Sequence, residues 1–354
     1  MSRFANQRIS SLAPYTPGEQ PKDMEYIKLN TNESPFPPSK KAQAAAKEAA
    51  EILQLYPDPE CTALIKSAAK VFGIGEKNIV ATNGSDEILN FAFMAYCDES
   101  TPAVFADITY GFYKVFAELH NIPYIQIPLK DDFSLDIEAF KAAEGTLFIA
   151  NPNAPTGLAL SLAEVEDIVA AKPHRLVLID EAYVDFGGES AISLIGKYDN
   201  LLVTQTFSKS RSMAGARLGF GFASEGIIAD MNTIRYSTNP YNINRMTMAA
   251  GIGVLEDEEY TREGCREIMA NRDWTTEKLK EMGFRIIPSM ANFIFAESDD
   301  ISGAELYKEL KKRGVLVRHF DAPRLSNFNR ITIGSRLQME KMLDITKEIL
   351  EERK

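Results

Sequence analysis

The feature that most constrains this chain is a repeated change of hydrophobic period between about residue 60 and residue 240. There, short runs rich in β-branched and aromatic residues alternate with segments patterned as helices. Thr101–Ala106, Tyr124–Leu129, Thr146–Ala150, Arg175–Asp180, Leu201–Phe207 and Arg217–Ala223 are expected as strands. Their near-continuous apolar character, clearest in Leu176-Val177-Leu178-Ile179, suits strands buried on both faces. Gly111–His120 and Leu162–Ala171 are expected as helices between them. Such alternation predicts an α/β fold, with helices on both sides of one sheet.

The flanks differ. Residues 1–38 carry Pro14, Pro17, Pro21, Pro35, Pro37 and Pro38 and should form an extended arm, because proline fixes φ and supplies no donor. Ser39 is placed to cap a helix over Lys40–Leu55. The large domain is expected over residues 39–244. After that, a long helical segment with the acidic stretch Glu256–Glu259 leads into strands and helices that read as a smaller α+β domain, 245–354. The acidic stretch reads as a solvated helix face.

With 354 residues the chain is long enough for two domains sharing an interface. Its 50 acids against 39 bases, a net charge of −11, argue against a nucleic-acid or anionic-membrane partner. They leave room for one small anion held by a few arginines and backbone amides. Cys61, Cys97 and Cys265 form no CxxC pair and suit a reducing compartment. His120, His174 and His319 lack ligand spacing, so no metal site is expected. No apolar run approaches the roughly 18 residues of a membrane span, and the start lacks the apolar core of a signal peptide. A cytoplasmic location is expected.

Four segments fall at strand ends or just beyond, where open α/β sheets bind ligands. Thr82-Asn83-Gly84-Ser85-Asp86-Glu87 enters a helix. It reads either as a phosphate cradle of outward amides or as an ordinary helix start capped by Ser85 or Asp86. Asn151-Pro152-Asn153-Ala154-Pro155-Thr156-Gly157 is a rigid loop. Asp180 ends a buried strand, where desolvation raises a carboxyl pKa unless a cation answers it. Lys209, in Thr206-Phe207-Ser208-Lys209-Ser210, follows another buried strand, 29 residues after Asp180. A lysine there loses hydration and becomes a free amine able to form a Schiff base. Ser208 and Arg217 stand near enough in sequence to hold a phosphate beside it.

Thr206–Gly215 resembles the lysine-site signature of the class II pyridoxal-phosphate aminotransferases, and the other three segments match the fold-type-I pattern in the same order. The resemblance implies a mostly parallel seven-stranded sheet, pyridoxal 5'-phosphate as cofactor, and catalytic roles for Lys209, Asp180 and Tyr183. Lys209 would carry the Schiff base and shuttle the proton, Asp180 would pair with the pyridine nitrogen, and Tyr183 would bond the ring oxygen. Gly84, Ser85, Asp86, Thr206, Ser208 and Arg217 would surround the cofactor, Tyr110 would stack on its ring, and Tyr56 would reach the phosphate of a neighbouring subunit. The loop of this chain departs from the family's NPNNPTG by having Ala154. Either Asn153 takes over the missing bond through a shifted loop, or Tyr183 acts alone.

Further segments resemble the histidinol-phosphate branch: Leu12–Tyr15 with Pro17-Gly18, Leu29–Phe36, Tyr56-Pro57-Asp58, Ala291-Asn292-Phe293 and Arg330–Arg336. That likeness implies a homodimer with shared active sites, acting on a small amino donor and a 2-oxo acid. Arg336 would clamp the donor's α-carboxylate. Tyr15, Asn30, Arg318 and Arg324 would meet the rest of the substrate. A threonine-phosphate decarboxylase or an aromatic amino-acid aminotransferase on the same scaffold is the alternative.

Overall fold

The computed structural model describes residues 2–5 and 12–353, so much of the N-terminal stretch weighed against a signal peptide lies outside the described residues. The arm supplies β1 (Ile27–Lys28). The alternating region supplies β2 (Ile79–Thr82), β3 (Ala103–Ala106), β4 (Tyr124–Ile127), β5 (Thr146–Ala150), β6 (Val177–Asp180), β7 (Leu201–Thr206) and β8 (Gly219–Ala223). The remainder supplies β9 (Phe284–Ile287), β10 (Phe293–Ser298), β11 (Val315–Leu316), β12 (Arg318–His319) and β13 (Asn329–Thr332).

Seven strands pair in the order β2-β8-β7-β6-β5-β3-β4, all parallel except β8, which runs antiparallel to both neighbours. Alternate side chains of the central strands enter two different cores. Leu147, Ile149, Val177, Ile179, Leu201 and Val203 pack on one face. Phe148, Leu178 and Leu202 join Phe91, Phe93 and Phe105 on the other. Both faces are therefore dry, which is why these strands read as unbroken apolar runs. β2 and β4 are the edge strands, and the middle residues of β4 are exposed.

Local chemistry sets the ends of these elements. The expected strand over 101–106 begins only at Ala103, after Pro102, which has no amide to donate. The strand expected from Arg217 begins at Gly219, because Arg217 itself sits at φ 55°. Ser39 caps its helix as expected, accepting from the Ala42 amide at 3.2 Å, but the helix ends at Ala49 and continues as a 3-10 turn over Ala50–Ile52.

The long helical segment after residue 245 is two helices, Arg245–Leu255 and Glu258–Glu281, broken within the acidic stretch. That stretch is not merely a solvated face, since Glu258 pairs with buried Arg211 at 3.1 Å. The first of the two helices lies on the helix Lys40–Ala49. A Cβ on Gly253 would stand 2.8 Å from the backbone of Ala42, so only glycine allows the two axes to approach so closely. Ala250, Val254 and Leu255 thereby join the core of the large sheet. Residues 245–255 pack with the large unit. Beyond them, β12-β13-β10-β9 form an antiparallel sheet with its own core of Ile268, Ile294, Leu306, Ile331 and Met342. The arm is not wholly irregular: β1 pairs in parallel with β11 and ties it to this smaller unit.

Candidate active site

The carboxyl ends of β5, β6 and β7 open on a cavity of about 310 Å³ lined by Lys209, Asp180, Tyr183, Tyr110, Ser208 and Arg217, among others. A larger groove of about 900 Å³ runs past Phe72–Gly75 and Gly187–Gly196, but Lys209 and Asp180 do not reach it. Convergence of titratable groups, not size, marks the smaller cavity as the site.

Asp180 ends β6 and is only 4% exposed. Burial pushes its carboxyl up to about 7, although the Tyr113 hydroxyl donates to Oδ2 at 3.0 Å and the Ala182 amide to Oδ1 at 3.2 Å. Two hydrogen bonds do not replace the lost water, so the site favours a cation beside it. The adjacent Glu181 serves a different network, accepting from Ser190, Gln205 and the Ala191 amide. Tyr113, fully buried, was not singled out in the sequence. Its only mark there is a third aromatic three residues after Tyr110 on a helix start.

Lys209 lies just past β7. Burial, and next the Arg330 cation, lower its amine to about 8; its Nζ donates to the Thr31 carbonyl at 3.2 Å. Tyr183 packs edge-on against Phe293, and its hydroxyl accepts from the Asn32 amide at 2.9 Å.

The phosphate end expected from Gly84 onward takes a definite form. Gly84, at φ 78°, is itself the N-cap of the helix Ser85–Tyr96, in place of Ser85 or Asp86, and no side chain caps that helix. A Cβ there would meet Arg217 Nη2 at 2.6 Å, so the guanidinium can lie over the helix start only because residue 84 is glycine. Arg217 donates to Ser208 Oγ at 3.2 Å and to Asp86 Oδ2 at 3.0 Å, and Tyr110 donates to Asp86 Oδ1 at 2.8 Å. Thr206 Oγ1 holds the turn, donating to Ser208 Oγ at 3.0 Å and accepting from the Ser208 amide. One guanidinium, two hydroxyls and a bare helix N-terminus fit a phosphate dianion. A lysine with a lowered pKa and a carboxylate awaiting a cation fit the other functions of pyridoxal phosphate. Asp86 contributes its carboxylate to Arg217, leaving its backbone amide for the phosphate.

A second cavity, of about 520 Å³, adjoins the first and shares Thr31, Tyr110, Ala154, Tyr183 and Lys209 with it. Tyr15, Asn30, Arg318 and Arg330 also line it. Arg318 and Arg330 are direct neighbours across β12 and β13. Arg330 donates to the Asn30 carbonyl at 3.1 Å, and its Nε is buried without a partner.

Three residues expected at this chain's own site stand elsewhere, and Tyr56, expected to reach a neighbour's, lies away from both cavities. Asn153 is turned away, bonded to the Ile108 carbonyl and to Thr109 and Thr156, and does not line either cavity; Ala154 does. Arg336 follows the Ser335 cap and stacks on Trp274 at 3.9 Å, outside both cavities. Arg324 donates to the Leu129 and Lys130 carbonyls and acts as a clasp on the backbone. Tyr56 is 76% exposed and stacked on Tyr241. The arginine that does face Lys209, Arg330, stands six residues before Arg336 in the same segment. Its signal was position inside a strand that ends over the site, whereas Arg336 begins a helix.

The sequence profile described as aminotransferase class I and II matches residues 24–345, and the chain belongs to that family. Its members use pyridoxal phosphate, as the geometry above accommodates. Among its relatives are proteins named histidinol-phosphate aminotransferase from Clostridium acetobutylicum, 46% identical over 351 residues and covering 99% of this chain and 100% of that one, and from Brachyspira hyodysenteriae, 46% identical over 352 residues, 99% of each. The fold matches the solved histidinol-phosphate aminotransferase of Sinorhizobium meliloti, with a TM-score of 0.89, 24% identity, and 99% and 98% of the two chains covered. An aromatic aminotransferase from Pyrococcus horikoshii shares the fold too, with a TM-score of 0.79, 23% identity, and 93% and 96% covered. The fold therefore does not select the substrate.

Proposed function

We propose that this chain transfers an amino group between histidinol phosphate and 2-oxoglutarate, giving imidazole acetol phosphate and glutamate, with pyridoxal phosphate bound at Lys209. One observation carries the substrate reading. Arg318 and Arg330 stand side by side at the cavity above Lys209, and neither has an ion-pair partner among the described residues. Two adjacent cations without an acid are costly unless an anion joins them. A substrate phosphate, or the carboxylates of glutamate, supplies it. The relatives named above, at 46% identity over nearly full length, favour the same substrate.

Bound pyridoxal phosphate supplies an aldehyde that links to amines and a ring that draws electrons from the neighbouring C–H bond. The chain's residues do the rest. Lys209, held at about 8, is roughly half neutral at pH 8, so its Nζ can attack a carbonyl and later take and return the substrate's α-proton. Asp180 would hold positive charge at the ring nitrogen, an ion pair that burial strengthens. Tyr183 would donate to the ring oxygen. Ser208, Arg217 and the helix start at Ser85 anchor the phosphate, and Arg330 orients the substrate anion, which fixes the reacting carbon beside Lys209.

The active unit is a homodimer in the cytoplasm. Leu53, Leu55, Tyr56, Tyr241 and Met246 are exposed, and Tyr56 stacks on Tyr241, which suits a second copy. There Tyr56 would enter the neighbour's site. No helix among the described residues is long and apolar enough to cross a membrane.

The test mixes holoenzyme with single amino compounds and follows the cofactor's absorbance. Rapid change with histidinol phosphate and with glutamate supports the reading. Change with aromatic amino acids alone, or carbon dioxide release from threonine phosphate, overturns the substrate assignment.

A further inference from the structure

Position 154 contributes only a methyl group to the wall shared by both cavities, and Asn153 is engaged elsewhere. The hydroxyl of Tyr183 stands on the same shared wall. Behind it stands Asn32, 1% exposed and held at φ 55°, a backbone conformation that asparagine tolerates better than most residues. Its amide is tightly oriented. Oδ1 accepts from the Thr332 hydroxyl at 3.0 Å, the Asn32 backbone N–H donates to Thr332 Oγ1 at 2.9 Å, and the Asn32 carbonyl accepts from Asn292 at 3.0 Å. With Oδ1 so engaged, Nδ2 faces Tyr183 and donates to Oη at 2.9 Å.

A phenol has one proton. Because an N–H already points at its oxygen from the Asn32 side, that proton is directed away from Asn32, toward the open cavity beside Lys209. A donor into the oxygen also makes the O–H a stronger donor in turn.

We propose that Asn32 is a positioning residue which, by donating to Tyr183, turns the phenol's proton into the cavity, so that Tyr183 supplies by itself the bond to the cofactor's ring oxygen that Ala154 cannot make. This rests on the cofactor reading above. The relay also links three parts of the chain: Asn32 of the arm, Thr332 of β13 and Tyr183 beyond β6.

The test uses holoenzymes of the wild type, Asn32→Gly, Tyr183→Phe and the double variant. Glycine keeps the positive φ and removes only the amide. Two quantities are read: the dissociation constant of pyridoxal phosphate, and the midpoint of the pH titration of the bound cofactor's absorbance. Asn32→Gly should weaken cofactor binding about 5-fold, the value of one modest hydrogen bond, and move the midpoint in the same direction as Tyr183→Phe. In the Tyr183→Phe background it should change neither quantity. If Asn32→Gly does not fold, Thr332→Val, which frees the amide without removing it, should move the midpoint the same way. An unmoved midpoint, or an equal effect of Asn32→Gly with and without the Tyr183 hydroxyl, overturns the proposal. Wild-type protein that binds no pyridoxal phosphate overturns the cofactor reading instead.

Discussion

Burial of Asp180 costs the cofactor-free fold stability, and Asp180→Asn should expose that cost. Asparagine keeps the shape and can still accept from Tyr113. Burial raises the carboxyl from 3.8 to about 7 in the folded chain. The folded state thus holds its proton where the unfolded state has lost it, and stability falls as pH rises between those values. The penalty is absent below about pH 4 and complete above about pH 7. At about 1.4 kcal/mol for each pH unit, it reaches on the order of 4 kcal/mol. Urea unfolding of cofactor-free protein, at one fixed protein concentration, should show Asp180→Asn more stable than wild type at pH 8, by about 2–4 kcal/mol after local relaxation. The gap should shrink by about 2 kcal/mol at pH 5. Pyridoxal phosphate should reverse the order, because the wild-type carboxylate then meets its cation. A gap that is the same at pH 5 and pH 8 would refute the reasoning, since uncompensated charge would not be its source.

Other consequences are checked more simply. Lys209→Ala should fold, lose turnover and take up no label when borohydride is added with pyridoxal phosphate, as peptide mapping will report. Arg330→Gln should lower kcat/KM by about 10²–10³, the loss of a buried charge-assisted contact, while Arg336→Gln stays within about threefold because solvent-side stacking carries little; equal losses would restore Arg336 as the clamp. Gly84→Ala sets a methyl 2.6 Å from Arg217 Nη2. It should weaken cofactor binding at least about 10-fold, through displacement of that guanidinium and strain at positive φ, as equilibrium dialysis will measure.

Much of this was legible along the chain because it depends on neighbours in sequence. Unbroken apolar runs such as Leu176–Ile179 announced strands covered on both faces, and the segments at Gly84, Asp180 and Lys209 announced the ends at which a ligand would sit. The direction of β8 was not legible, since a strand's pattern is the same read against a parallel or an antiparallel partner. Which arginine faces the cavity was not legible either. Arg330 and Arg336 lie in one short segment, and only the pairing of β13 with β12 and β10 aims the first at Lys209, while the Ser335 cap turns the second onto Trp274. The loop at Asn153 left two routes to the ring oxygen open; only the fold shows that Asn153 is bonded to Ile108, Thr109 and Thr156 instead of lining the cavity. Composition and period decide which side chains leave water, because that depends on each residue and its near neighbours. Which polar group points at which is decided by contacts between residues as distant as Asn32 and Thr332, and those exist only once the chain has folded.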